Sequence, residues 1–438
     1  MTRISSIRTS GFKGIDDLEV EPGRINIITG RNNTGKTSFL ESINICFNPT
    51  SIEEFSKNLD KVVNVNNSTC SISPSYIQTQ RTLQSYGSES NMREFAMREP
   101  NEKEAVDIFT RTLQDIMRIN EDYPLRSVQR HFSDNFDSNE LGQLIENTLE
   151  ESVSTLSRSE ILPDAEENII IIELGGNEYP YIHLGEFYDD IRDLIISKSM
   201  EKIQNEINLS LVSSDLSEEN EDEIDYVFYR GLREQLVPRF GSDRFVGGEP
   251  DAIEGVRLVY SPLLESEDVD MSKTNAAVKR SDIEEYLKEN QIIDNLTDFS
   301  FDKIVFKEGN EKSEIPYSFM GDGFKTLVGI LWEIMDDHRS ENILLLEEPD
   351  VHMHPGYIEN LLGQLVELVR KNGIQLFITS HNLDFIEGFF SETLKINEKE
   401  FLQDHFKLIQ LTDPIPRTID YRSAENEIEE LNVDLRGI

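Results

Sequence analysis

The first thirty residues alternate. In "RISSIRTSGF" (3–12) apolar and polar positions trade places, which predicts a half-buried strand, and "GFKG" supplies the turn after it. "LEVEPGRINIITG" (18–30) predicts a second strand, a Pro-Gly turn and a third strand over 25–28. The period then changes: Phe39, Leu40, Ile43 and Phe47 fall at helical spacing, so a helix is predicted from Lys36 to Phe47, ended by "NPT". Residues 50–90 are rich in Ser, Asn and Thr, and their weak periodicity predicts no element. Long amphipathic stretches at 103–119, 139–157 and 186–212 predict helices, interrupted by a hairpin in "NIIIIELGGNEYPYIHLG" (168–185). The acidic run "DLSEENEDEID" (215–225) reads as a solvated linker. A strand fits 255–262, a helix 281–290, and strands 302–307 and 314–318, with a polar break at 264–275. An α/β rhythm closes the chain: helix 323–337, strand 343–347, helix 356–371, strand 374–380 and helix 382–390. "HFKLIQLT" and "RTIDYR" then predict a hairpin, and a helix fits 422–431.

This order predicts an α/β protein whose two halves, 1–90 and 251–438, enclose a mainly helical insertion with one hairpin at 91–250. No apolar run approaches a membrane span, and the start lacks a signal-peptide core, so a cytoplasmic protein with no membrane partner is expected. Two cysteines without a CxxC pair argue against a zinc site or a disulfide framework. The 84 acidic residues against 42 basic ones give a net charge of −42. A basic partner would account for that excess. So would a halophilic origin, because in molar salt the Debye length falls to about 3 Å and self-repulsion is screened. Either way, a nucleic-acid site would have to be a local basic patch.

Candidate chemistry sits at the strand ends. "GRNNTGKT" (30–37) fits GxxxxGK[ST] between a strand and a helix, the context of a phosphate loop. Gly30 and Gly35 let the backbone curl, so that the N–H groups of Arg31, Asn32, Asn33, Thr34 and Ser38 are candidates to cradle phosphate at a helix N-terminus. In such a loop Lys36 meets the β- and γ-phosphates of ATP, and the Thr37 hydroxyl ligates Mg²⁺. "ILLLEEPDVHMHP" (343–355) drives an apolar strand into two adjacent carboxylates, which repel unless something positive lies near them. Glu347 is assigned to Mg²⁺, and Glu348 to the attacking water as general base. "FITSHN" (377–382) ends another apolar strand in Ser380 and His381; His381 is a candidate to hydrogen-bond the γ-phosphate or the water. Gly321, Asp322 and Gly323 open an amphipathic helix whose start can cap an anion.

Together these motifs resemble the ABC-type ATPases, and within them the OLD-like family of AAA ATPases, with RecF and SMC-like ATPases more distant. The resemblance covers 1–50 and 255–438, and rests on EEP in place of DEP, the "HMHP" turn and the short Gly-Asp-Gly signature. It implies an ABC-ATPase-type P-loop NTPase head, a mixed sheet flanked by helices. Two heads would close as a homodimer around two ATPs, with Gly321, Asp322 and Gly323 meeting the γ-phosphate held by the other subunit. It places His354 at the subunit-crossing loop, His381 at the switch histidine, and Gln78 or Gln80 at the Q-loop. Gly321 stands where transporter motors carry serine, which points to slow hydrolysis, and Glu347 replaces the usual aspartate. The 57 residues after His381 are too few for the family's Toprim nuclease, so any nuclease or effector is expected to be a separate protein.

Two arginine-bearing stretches in the insertion offer nucleic-acid surface: 111–130, with Arg111, Arg118, Arg126 and Arg130, and 229–244, with Tyr229, Arg230, Arg233, Arg239 and Arg244. Pairing of those arginines to the abundant acids is the plainer alternative. The expected function is an ATP-hydrolysing dimeric switch acting on DNA, in repair or in defence against mobile elements. The alternative is an ATP-gated protein-binding scaffold that does not touch nucleic acid.

Overall fold

A computed structural model of the chain describes residues 2–64, 66–67, 69–81, 86–120, 138–156, 167–211, 221–238, 243–260, 263–272, 275–289, 291–309, 311–334, 343–351, 353, 355–412 and 416–429. It divides into two compact units, one of 1–49, 71–95 and 251–438, the other of 50–70 and 96–250.

The first unit holds a parallel sheet. The opening strands are β1 (Thr2–Phe12), β2 (Ile15–Val20) and β3 (Ile25–Gly30), followed by helix α1 (Lys36–Phe47). β3 is buried along its whole length, as a strand covered on both faces must be. Its parallel neighbours are β15 (Gln375–Thr379) and β16 (Phe406–Leu411). β14 (Ile343–Glu347) lies beyond β15, and β10 (Val256–Val259) beyond β14; β17 (Arg417–Asp420) closes the far edge antiparallel to β16. β15 therefore separates the strand that feeds the phosphate loop from the strand that carries the two glutamates. In such sheets ligands bind at the carboxyl ends of the strands, where all three motifs emerge. Leu344, Leu346, Leu376, Ile378, Ile25 and Ile27 form one core with the apolar faces of the helices at 322–334 and 355–372.

β1 and β2 pair antiparallel, and β1 also pairs with β4 (Thr69–Arg81), which in turn pairs with β5 (Tyr86–Met92). Gln375 ties this layer to the parallel sheet. Though polar, it is 1% exposed; its amide donates to Ile4 O at 2.9 Å and Gly23 O at 2.7 Å, and accepts from Ile4 N at 2.8 Å. β11 (Leu296–Phe299), β12 (Lys303–Glu308) and β13 (Glu311–Pro316) form a small antiparallel sheet.

The second unit packs helices α2 (Glu102–Asn120), α3 (Ser138–Ser154), α4 (Glu186–Leu211) and α5 (Glu221–Gln235) around a hairpin, β7 (Ile169–Leu174) and β8 (Asn177–His183). Gly175 and Gly176 turn the hairpin with φ of 57° and 80°, the left-handed pair that a two-residue hairpin turn needs. Ile108, Leu113, Ile145, Leu149, Ile171, Ile195 and Leu232 fill its core. Arg98 holds three carboxylates at once, Glu104 at 2.8 Å, Glu173 at 2.9 Å and Glu178 at 2.8 Å. Hydrogen bonding to Arg98 is the main cause that depresses the Glu104 pKa. A depressed carboxylate adds stability above its unfolded pKa and loses it as pH falls through the folded one. Arg98→Ala is expected to lower stability at neutral pH by about 1–2 kcal/mol, since all four groups are partly solvated. Urea unfolding should show that deficit shrinking as pH falls through the carboxylate range.

This is the expected α/β architecture, a sheet flanked by helices with a mainly helical insertion. Local differences have physical causes. Thr69–Arg81 and Tyr86–Met92 form strands where weak periodicity predicts none, because Cys70, Ile72 and Tyr76 are buried between Ser and Thr, which mute the alternation. The acidic run read as a linker becomes helical at Glu221, and its residues 215–220 lie outside the described residues. The helix Ala276–Glu289 starts five residues before the predicted 281. β11 and the helix Ile396–His405 are additions to the predicted set. Among the described residues, no helix is long and apolar enough to cross a membrane.

Candidate functional site

The loop leaving β3 is held open by its backbone. Gly30 and Gly35 take φ of 153° and 91°, and Asn33 between them takes 64°. A Cβ on Gly30 would stand 2.6 Å from both Leu411 O and Thr34 Oγ1. Thr34 Oγ1 donates to Arg31 O at 2.9 Å, closing the turn. Lys36 is 7% exposed, and its Nζ donates to Gly30 O and Arg31 O, each at 3.1 Å. Burial is the leading cause holding its pKa below the ordinary lysine value, with Glu348 and Glu347 acting the other way. A buried ammonium whose hydrogen-bond partners are loop carbonyls has the chemistry to meet an anion.

Gly30→Ala should therefore lose nucleotide binding and destabilise the fold. The added methyl meets backbone and the φ is costly for any other residue, which together set back stability by about 1–3 kcal/mol. Thermal unfolding and an ATP titration of the variant would check both effects.

β14 brings its two glutamates to different partners. The Thr37 hydroxyl, one residue into α1, donates to Glu347 Oε1. The chain then turns sharply, with Glu348 at a φ of 42°, a strained value for a non-glycine residue. Thr379 at the end of β15 secures the turn, its backbone and side-chain oxygens both accepting from Glu348 N at 3.1 Å. The Glu348 carboxylate lies 2.9 Å from His381 Nδ1. Asp350, 5% exposed, accepts from Ser380 Oγ at 3.0 Å, a second link between the two strand ends.

Glu347 is half-buried, and its pKa is raised chiefly by that burial and further by Glu41 and Glu348, while Thr37 and Lys13 oppose. Lys13 Nζ and Glu41 form an ion pair of 2.7 Å beside it. The site is thus short of positive charge where its carboxylates gather. An oxygen-rich pair of hydroxyl and carboxylate suits a hard cation such as Mg²⁺. The glycine cradle and Lys36 suit a triphosphate. Both groups fit the residues present.

Gly321, Asp322 and Gly323 begin the helix Asp322–Ile334, where Gly321 O accepts from Phe324 N at 2.9 Å and Lys325 N at 3.2 Å. Lys325, buried, fixes this end by ion pairs of 2.7 and 2.9 Å to Glu265. Among the described residues, no hydrogen bond or ion pair joins Gly321–Gly323 to the phosphate loop. A Cβ on Gly321 would meet nothing within 4 Å, so packing does not demand glycine there. His352 and His354 lie outside the described residues, as do the side chains of Gln78 and Gln80, whose backbones belong to β4. Thr379 and Asp350 lie inside the quoted strand-end motifs, but the sequence assigns neither a role, and it gives none to the Lys13–Glu41 pair.

Residues 3–386 match the AAA ATPase domain family. An uncharacterized protein of Methanocaldococcus jannaschii, MJECL11, is 27% identical over 124 residues, which are 27% of this chain and 100% of that one. The SMC head domain from Thermotoga maritima aligns at 9% identity and a TM-score of 0.39, covering 95% of this chain and 98% of that one. The Pyrococcus furiosus Smc head domain with an extended coiled coil, bound to the C-terminal domain of ScpA, aligns at 12% identity and 0.38, covering 99% and 100%. Likeness at that level carries no functional argument. The match over 3–386 takes in most of the chain, with the phosphate loop, both glutamates and His381 inside it: the chain belongs to the AAA ATPase family.

Proposed function

We propose that the chain binds and hydrolyses ATP at the converging ends of β3, β14 and β15, and uses the cycle as a dimeric switch acting on DNA. The hydrogen bond from Thr37 to Glu347 carries this reading, because it brings the phosphate-loop helix and the acidic strand to one point. Gly30, Arg31, Asn32, Asn33, Thr34, Gly35, Lys36, Thr37 and Ser38 hold the phosphates. Thr37 and Glu347 hold Mg²⁺, which when bound neutralises phosphate charge and orients the γ-phosphate. Glu348 takes the proton of the attacking water. His381, hydrogen-bonded to Glu348, orients that carboxylate and donates toward the γ-phosphate region. Gly321, Asp322 and Gly323 act across a homodimer interface on the nucleotide of the second copy. The EEP motif supports placement in the OLD-like branch, with a nuclease or other effector supplied by a separate protein.

One observation favours the scaffold reading. Arg230 lies 3.0 Å from Glu234 and Arg244 lies 3.0 Å from Asp115, so two of the insertion's arginines are spent on acids. Arg126, Arg130 and Arg239 lie outside the described residues. ATP turnover measured with and without DNA separates the two: stimulation supports the switch on DNA, and indifference to DNA beside stimulation by a co-purifying protein supports the scaffold.

A further inference from the structure

Residues of helices α2, α3 and α5 line a cavity of about 420 Å³ in the second unit, within the range of about 300–1,000 Å³ that ligand pockets occupy. Glu146 and Glu150 line it from α3, at positions i and i+4, and both are exposed. Among the described residues, neither forms an ion pair. Like charges at that spacing destabilise a helix, so the pair is unfavourable until a cation joins it. Asp115 of α2 also lines the cavity, but Arg244 already holds it at 3.0 Å.

The wall also holds an unpaired acceptor. Gln235, at the end of α5, lines the cavity and is 4% exposed. Its Nε2 donates to Met117 O at 3.2 Å, while its Oε1 has no hydrogen-bond partner among the described residues. Turning the amide over does not help, because Oε1 would then face the Met117 carbonyl. Asn120, 1% exposed, fixes the main chain here: its Nδ2 donates to Gln235 O at 2.7 Å and Val237 O at 2.9 Å. A buried acceptor left without a donor keeps its full desolvation cost, which a donating ligand would remove. Met117 and Leu149 give the same cavity an apolar side.

We propose that this cavity takes a basic side chain, arginine or lysine, of a separate protein. A guanidinium or ammonium has donors and no acceptor, so it answers Glu146, Glu150 and the Gln235 oxygen together. Its alkyl stem suits the side formed by Met117 and Leu149. A phosphate or carboxylate in the same place would meet those acceptors with Arg118 alone to offset them. Arg118 is exposed, and can meet a backbone carbonyl of the same partner. The net charge of −42 draws a basic partner toward the chain, and the cavity gives that attraction one place to act. The inference goes beyond ATP hydrolysis and action on DNA, and rests on neither: the cavity belongs to the second unit, the phosphate loop to the first.

The test is fluorescence anisotropy of a labelled triarginine amide with the full chain. Glu146→Gln and Glu150→Gln are each expected to weaken binding by about three- to tenfold. Both residues are exposed, so these variants keep the fold even where Gln235→Met, expected to weaken binding by a similar factor, perturbs it. The control is Glu19→Gln with Glu21→Gln, which removes two exposed charges from the first unit and should leave the affinity unchanged. An equal loss in the control and the cavity variants would overturn the proposal, since the peptide would then be held by overall charge. Spermidine bound in a Glu146-dependent way, with triarginine excluded, would overturn the assignment to a protein. Single-stranded DNA bound in its place and lost in Arg118→Gln would give the surface to nucleic acid.

Discussion

Lys36→Ala abolishes ATP binding, a loss expected to exceed a hundredfold in affinity. The side chain is buried, and its ammonium is held over the loop by Gly30 O and Arg31 O, so removing it takes away the central positive charge of the cradle. A charge-assisted contact to phosphate in a partly desolvated site is stronger than a neutral hydrogen bond, and two phosphates share this one. A loss of roughly 3 kcal/mol or more follows, about two decades in Kd. The fold should survive, because the loop geometry is set by the glycines and by the turn at Thr34. Isothermal titration with ATP and Mg²⁺, beside a melting curve of the variant without nucleotide, measures both. Retained affinity in a folded variant would remove Lys36 from the phosphate site.

Glu348→Gln separates binding from chemistry. The amide keeps the size of the carboxylate and can still meet His381 Nδ1, which lies 2.9 Å away in the parent. It cannot accept a proton from water. General-base assistance contributes about 10²–10⁴-fold, so turnover should fall by that order with ATP affinity unchanged. The variant should also accumulate as a nucleotide-bound dimer, because the step that releases the switch is blocked. Size-exclusion chromatography with light scattering, in MgATP and without nucleotide, reads that accumulation. Glu347→Gln should behave differently. It removes the carboxylate that meets Thr37, so its effect falls on the Mg²⁺ requirement as well as on rate.

The site was legible where its signals are local. "GRNNTGKT" lies within eight consecutive residues, and strand, loop and helix appear as its spacing predicts. That the two glutamates meet different partners was legible only in part. Adjacency marks Glu347 and Glu348 as a pair, but the turn at Glu348 and the two bonds its N–H donates to Thr379 decide which partner each reaches. Asp350 and Ser380 meet across two parallel strands, a contact that exists only once β14 and β15 pair.

Fold signals failed for a similar reason. Strand β4 carries its pattern in small polar residues, and Gln375 is buried as the joint between two sheets within a run that otherwise reads as apolar. The sequence points to arginine clusters in the insertion, where Arg230 and Arg244 are paired to acids.

Phosphate release in a single turnover is the most direct test of the central claim. The unmodified chain and Glu348→Gln are each mixed in excess with a small amount of labelled ATP and Mg²⁺, and released phosphate is followed alongside bound nucleotide. The predicted result is that both bind, that the unmodified chain releases phosphate, and that Glu348→Gln releases it at least a hundredfold more slowly. Equal rates in the two proteins would contradict the account, and hydrolysis would then have to be assigned to a base other than Glu348.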